Sequence, residues 1–241
     1  MAWAYDTYVF DFYGTLADIR TDEEDPRVWE AFCWELRLRG MDWTPERLKA
    51  QYLRLCEENL AEKEAELQKR GLSGPAEADI RQVFLALGKA GGKALSHGEA
   101  DGVARLFRAL TLKKLRLFEG ADALLAALGK GRRQVILLTN AQSAFTVPEL
   151  EYLGIGRRFH QIIISGDHGV RKPSPAFFDL LTAAGVDKRR ALMIGNDDAC
   201  DCHGAAQWGM DSLYIRTEQS PPLSGPLPGN CRPIGSLSAV R

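Results

Sequence analysis

The sequence predicts an α/β protein, a three-layer α/β/α doubly wound parallel sheet with an α-helical bundle inserted near its start. Three observations predict it. A short apolar run, Tyr8-Val9-Phe10, ends on Asp11 and is followed by a turn at Gly14, as a buried strand would be. From about Pro26 to Leu115 the apolar residues keep a helical period. After Gly120 strand-like and helix-like runs alternate, the pattern of parallel strands joined by right-handed crossovers.

The first strand delivers Asp11 at its carboxyl end, where open α/β sheets bind ligands. In the insert, Trp29, Phe32, Cys33 and Leu36 form one apolar stripe at helical spacing. Thr44-Pro45 places an N-cap before Pro at the first helical position. The helix behind it carries Leu48, Tyr52, Leu55 and Leu60 toward Arg70 and stops at Gly71. Ile80, Val83, Phe84 and Leu87 predict a third helix, broken at Gly91-Gly92, and Val103, Leu106, Phe107 and Leu110 a fourth. Four amphipathic helices predict a bundle subdomain over residues 21–114. The core is then residues 1–20 together with 115–241.

The core continues with a helix over residues 121–128 and a buried strand over 134–139 (QVILLT). A helix over 145–153 follows, weakened by Pro148. Then come a strand at 162–165, a helix at 175–184, a strand at 191–195, a helix at 201–208 and a strand at 212–215. Residues 220–230 are rich in Pro and Gly and predict irregular surface chain.

Composition narrows the function classes. A chain of 241 residues suits one large domain or a core with a smaller cap. At 45% hydrophobic and 26% charged it is ordinary for a globular protein and long enough for a core without staples. With 31 basic and 32 acidic residues it shows no basic surplus of the kind a nucleic-acid partner requires. The five cysteines, at 33, 56, 200, 202 and 231, are odd in number and predict no disulfide framework. The first fifteen residues carry Asp6 and Asp11 without a basic start, and no apolar run is long enough for a bilayer. The expectation is a cytoplasmic protein, a monomer or homodimer, with no membrane and no nucleic-acid partner.

Four segments end predicted strands or lie just beyond them: Asp11, Thr139-Asn140, Lys172-Pro173, and Asn196-Asp197-Asp198 with Asp201. In a doubly wound sheet such ends converge on one crevice. Up to four carboxylates, from Asp11, Asp197, Asp198 and Asp201, would meet there. Carboxylates this close repel, so some are protonated or a cation sits among them. Oxygen ligands in a small site favour magnesium. Such an ion screens a phosphate from an attacking anion. Lys172 adds a fixed positive charge and Thr139 a hydroxyl donor. A free carboxylate can then attack phosphorus and form an aspartyl-phosphate. Taken singly, each acid is more simply a turn or helix-cap residue. The argument rests on four segments in order.

Those strings resemble the haloacid dehalogenase (HAD) superfamily. VFDFYGTL at 9–16 resembles its first motif, ILLTN at 136–140 the second, SGDHGVRKPSPAFF at 165–178 the third, and MIGNDDACDCHGAAQWGM at 193–210 the fourth. The resemblance covers roughly residues 5–20 and 115–240, with the insert where one class of the family carries a cap. It implies a Rossmann-like core and a hydrolase acting on a small phosphorylated molecule. By the same resemblance Asp11 is the nucleophile, Thr139 donates to the phosphate and Lys172 stabilises charge, with Tyr13 and Asn140 as further catalytic candidates. Magnesium would be anchored by Asp11, the Tyr13 carbonyl and Asp197 with Asp201 or Asp198.

One departure bears on mechanism. Phosphatases of this family carry Asp two residues after the nucleophile, as general acid and base, and here that position is Tyr13. A phenol is a poor base at neutral pH, although its hydroxyl can protonate a leaving group. The two-haloacid dehalogenases of the family also carry Tyr there and need no metal. They place a Tyr six residues after the motif Lys, where this chain has Phe178, and their fourth motif is less acidic. The first motif therefore leans toward a dehalogenase and the fourth toward a metal-dependent phosphatase, which is the expectation. A binding module with little turnover is the alternative from another class.

Other candidates carry less. Cys200, Cys202 and His203 lack the spacing of a zinc site. His160 and His168 are lone residues, and the run 22–25 is a solvated hinge and helix start.

Overall fold

The computed structural model describes residues 4–240. The chain runs through β1 (Thr7–Phe10), β2 (Ala17–Thr21), α1 (Pro26–Leu38), α2 (Pro45–Lys69), α3 (Ile80–Ala90), α4 (His97–Thr111) and β3 (Leu112–Leu117). It continues through α5 (Ala121–Lys130), β4 (Gln134–Thr139), α6 (Ser143–Tyr152), β5 (Gln161–Ile164), α7 (Pro175–Phe178) and α8 (Leu180–Ala183). The last elements are β6 (Ala191–Gly195), α9 (Gly204–Trp208), β7 (Asp211–Ile215) and β8 (Cys231–Ile234).

Six strands form one sheet in the order β5-β4-β1-β6-β7-β8, and each neighbouring pair is parallel. From β1 the chain builds outward through β4 and β5, then returns to the other side of β1 for β6, β7 and β8. That reversal opens a crevice at the carboxyl end of β1. All four residues of β1 are buried, as expected for a strand covered on both faces. Alternate residues serve opposite layers. Tyr8, Phe10, Leu137 and Ile194 pack with Leu124, Leu125 and Leu128 of α5. Val9, Ile136, Leu138 and Met193 pack with Phe177, Phe178 and Trp208 on the other side.

The four helices between β2 and β3 have their own core. Trp29, Phe32, Tyr52, Phe84 and Phe107 form an aromatic cluster with ring centroids 4.9–6.3 Å apart. Each helix starts on a capping side chain, from Asp25, Thr44, Asp79 or Ser96, and Ser96 with Glu99 closes a capping box. Trp29 and Trp43 are buried in this core, whereas Trp34 is 61% exposed.

Besides the packing of α4 on α6, two stretches of backbone tie the helices to the sheet layers among the described residues. One is the antiparallel ribbon of β2 and β3. The other is a strap, residues 73–80. Glu77 N–H donates to the Gly169 carbonyl, Arg171 N–H to Pro75, and the Ser174 hydroxyl to Ser73. Gln142 closes it, accepting from Ile80 N–H at 3.0 Å and donating to the Ala78 carbonyl at 2.7 Å. Gly74 is required there: its φ is +110°, and a Cβ would lie 2.5 Å from Ser174 Cβ.

The structure differs from expectation in places. Residues 112–115, helical by texture, are strand, because pairing with β2 nearly a hundred residues away outweighs local pattern. β8 lies just past the Pro- and Gly-rich stretch and escaped notice. Pro233 is tolerated because β8 is an edge strand. The helix expected at 175–184 is two short helices meeting at Asp179. The one expected at 201–208 opens as a π-helical turn over Asp198–His203 before α9. Among the described residues no helix is long and apolar enough to cross a membrane.

Candidate active site

Asp11 follows the last residue of β1, and its N–H donates to the Ile194 carbonyl of β6, which sets it at the switch point. The side chain is buried beneath three donors. Lys172 Nζ donates to Oδ1 at 2.8 Å, the Thr139 hydroxyl to the same oxygen at 3.2 Å, and the Thr15 hydroxyl to Oδ2 at 3.2 Å. Thr139 ends β4, so the second and third expected segments reach the same carboxylate as the first.

Lys172 is 1% exposed and bridges two acids, with Asp201 Oδ1 at 2.6 Å on its other side. Burial disfavours its charge, but the carboxylates of Asp11 and Asp201 outweigh that and hold its pKa above the ordinary lysine range. Burial and the like charge of Asp11 push the Asp201 carboxyl up, with Lys172 opposing. Asn140 fixes the lysine backbone: its amide accepts from Lys172 N–H at 2.9 Å and donates to the Lys172 carbonyl at 3.1 Å.

The acidic loop divides its carboxylates among different tasks. Asp201 Oδ2 accepts from Asp197 N–H, so both its oxygens are held inside the protein. A Cβ at Gly195 would lie 2.1 Å from that oxygen, which explains the glycine. Asp197 accepts from Cys200 N–H on Oδ1 and lines the cavity. Asp198 does not line it: its Oδ2 is taken by the backbone and hydroxyl of Ser224.

The cavity is about 200 Å³. Its charged lining is Asp11, Asp197 and Asp201 against Lys172 alone, a negative surplus. Tyr13 lines it too, but its hydroxyl is engaged elsewhere. It donates to Glu149 Oε2 at 2.5 Å and lies 3.0 Å from the Thr146 hydroxyl. Burial and the Glu149 charge push the phenol above its usual range. Arg108 of α4 donates to the other Glu149 oxygen at 2.6 Å, and its guanidinium lies 5.6 Å from the Tyr13 ring centre.

Sequence reasoning passed over Thr15, Gln219, Glu149 and Arg108, gave Asn196 no role of its own within the acidic segment, and weighed Cys200 only as a zinc ligand. Thr15 and Asn196 stood inside quoted motifs, and the Thr15 hydroxyl donates to the buried Asn196 amide oxygen at 3.1 Å. Glu149 and Arg108 lie in unremarkable helical patterns and meet only through the fold. Phe178 is a core residue against Trp208, away from the cavity. Cys200 lines the cavity while Cys202 packs with Cys231 and Tyr214, so these neighbours do not converge.

Among the described residues no three His, Cys, Asp or Glu side chains gather closely enough to hold an ion alone. Magnesium does not require that. It keeps several waters and takes one or two carboxylates plus phosphate oxygens. Asp11, Asp197 and the Tyr13 carbonyl fit that demand, with oxygen donors only and unbalanced negative charge.

A family model for haloacid dehalogenase-like hydrolases matches residues 5–209. A phosphoserine phosphatase of Thermus thermophilus is 30% identical over 104 residues. That match covers 43% of this chain and 42% of the relative, so less than half of that protein is spanned. The structure of a 2-haloacid dehalogenase from Pseudomonas syringae is similar at a TM-score of 0.62 and 21% identity, covering 97% of this chain and 95% of that one. The HAD hydrolase YfnB from Bacillus subtilis, solved bound to magnesium, has a TM-score of 0.54 at 21% identity, covering 97% and 96%. At these identities the structural likeness speaks for the fold.

Proposed function

The chain belongs to the haloacid dehalogenase-like hydrolases, and on that premise we propose that it hydrolyses a small organic phosphate through an aspartyl-phosphate on Asp11, with magnesium as cofactor. The observation that carries the reading is the charge of the cavity, three carboxylates against one lysine. A phosphate dianion does not enter such a site unless a cation balances it. Bound magnesium would supply that balance and polarise the phosphoryl oxygens; Asp11, Asp197 and the Tyr13 carbonyl are the groups to hold it. Asp198, turned to Ser224, is assigned a structural part.

The residues then divide the work. An Asp11 oxygen attacks phosphorus as the bond to the leaving oxygen breaks, the phosphoryl group passes to Asp11, and the leaving oxygen, with the Tyr13 hydroxyl committed elsewhere, takes its proton from solvent. Lys172, kept charged by its two carboxylates, offsets the charge gathering on the phosphoryl oxygens. The Thr139 hydroxyl gives up Asp11 and donates to the transferred group. Asp201 and Asn140 hold Lys172 in place. Water then attacks phosphorus and gives a proton to solvent, the bond between phosphorus and the Asp11 oxygen breaks, and the Asp11 carboxylate is regained. With the Tyr13 hydroxyl committed to Glu149, this second half lacks the usual base and is the slow one.

The Tyr13 position also favours a second reading, displacement of halide from a 2-haloacid by Asp11. Turnover of an aryl phosphate and of 2-chloropropionate, each with and without magnesium, separates the two. Magnesium-dependent phosphate release, lost by at least about 10³-fold in Asp11→Asn, is expected. Metal-independent halide release would establish the second reading instead, and full activity of Asp11→Asn would sink both.

A further inference from the structure

No residue of 21–114 lines the cavity over Asp11. The wall that the helical insert leaves open is supplied by Gln219 and Pro221, from the chain after β7. That segment is fastened on three sides. The Thr217 hydroxyl donates to the Gly14 carbonyl of the nucleophile loop at 2.9 Å. Ser224 donates to Asp198 of the acidic loop. Between them Gln219 Nε2 donates to Asp18 Oδ1 of β2 at 2.7 Å.

The Asp18 bond fixes the glutamine. Asp18 is buried and held by Lys114 and Arg116 of β3 as an ionised carboxylate, which only accepts. The amide nitrogen must therefore face Asp18. Among the described residues no donor reaches the Gln219 carbonyl oxygen, Oε1. A side chain at the cavity wall, its amide nitrogen held by Asp18, thus keeps one acceptor with no donor from the described residues.

We propose that Gln219 Oε1 reads the organic part of the substrate by accepting a hydrogen bond from a hydroxyl or amino group near the phosphoryl group. The substrate class is then a phosphate monoester of a small polyol, sugar or amino alcohol. The inference rests on the phosphatase reading above. A fixed acceptor at the cavity wall favours a ligand that brings a donor, because a ligand without one displaces water from that oxygen and returns no hydrogen bond.

The test compares kcat/KM for glycerol phosphate, which brings donors, with that for an aryl phosphate, which brings none, in wild type, Gln219→Leu and Asp18→Ala. Leu keeps the volume and removes the acceptor; Ala at 18 keeps the acceptor but frees its orientation. The glycerol-to-aryl ratio is expected to fall about tenfold in Gln219→Leu, the value of one neutral hydrogen bond, with the loss in KM, and to fall less in Asp18→Ala. An unchanged ratio in Gln219→Leu, with aryl turnover still measurable, would overturn the assignment of Gln219 alone. Failure of wild type to release phosphate from either ester would overturn the phosphatase reading and the inference with it.

Discussion

Tyr13 has two separable parts. Its backbone sits two residues beyond the nucleophile, among the groups that fit a magnesium ion, while its hydroxyl belongs to a buried cluster with Glu149, Thr146 and Arg108. A hydroxyl so held neither protonates a leaving group nor activates water. Tyr13→Phe is therefore expected to lower kcat by less than about threefold while costing roughly 1–2 kcal/mol of stability, since Glu149 loses one donor and keeps Arg108. Steady-state kinetics beside urea unfolding measures both, and a large loss of kcat in a stable variant would return Tyr13 to acid–base chemistry. The residues legible in the sequence were those placed at or after strand ends: Asp11 follows β1, Thr139 ends β4, and Lys172 lies in the loop after β5. Asp198 reads the same as Asp197 in sequence, and only the fold turns one toward Ser224 and the other toward the cavity.

Secondary elements were legible where burial imposes a period. The run QVILLT needs no partner to announce a buried strand, and Trp29, Phe32 and Leu36 announce a helix face. β3 could not be seen this way, because LKKLRL is half-exposed and is a strand only through β2. The strap at 73–80 was equally hidden: its bonds run to distant backbone groups and to the side chains of Gln142, Ser165 and Ser174, which no local pattern links to it. Gln142 is its clasp. Gln142→Ala removes the acceptor for Ile80 N–H and the donor to Ala78. The Ile80 amide is expected to exchange its hydrogen at least about tenfold faster than in wild type. Unchanged protection would mean that packing, not Gln142, holds the strap.

Across the whole molecule, the fold class followed from the alternation of elements, whereas the way the helical layer is tied down did not. The tie at β2 and β3 is electrostatic as well as hydrogen-bonded. Lys114 first, and Arg116 with it, hold the Asp18 carboxyl below the ordinary 3.8, against a smaller opposing effect of burial. A carboxyl with a lowered folded pKa contributes stability that is present above its unfolded value. That contribution is lost as pH falls through the folded value. The destabilisation of Asp18→Asn, read from urea midpoints, is therefore expected to be clear at pH 7 and to shrink steadily below about pH 4. A deficit equal at pH 7 and pH 3 would show that the charge of Asp18 contributes nothing.

The claim on which the rest depends is that Asp11 takes up a phosphoryl group. Rapid mixing with an aryl phosphate and magnesium, acid quench and peptide mass spectrometry tests it directly. The slow second half predicts that the peptide containing Asp11 gains one phosphoryl mass within the first turnover, and that Asp11→Asn gains none. Phosphate release with no labelled Asp11 at any time point, or label on another residue, would contradict the account.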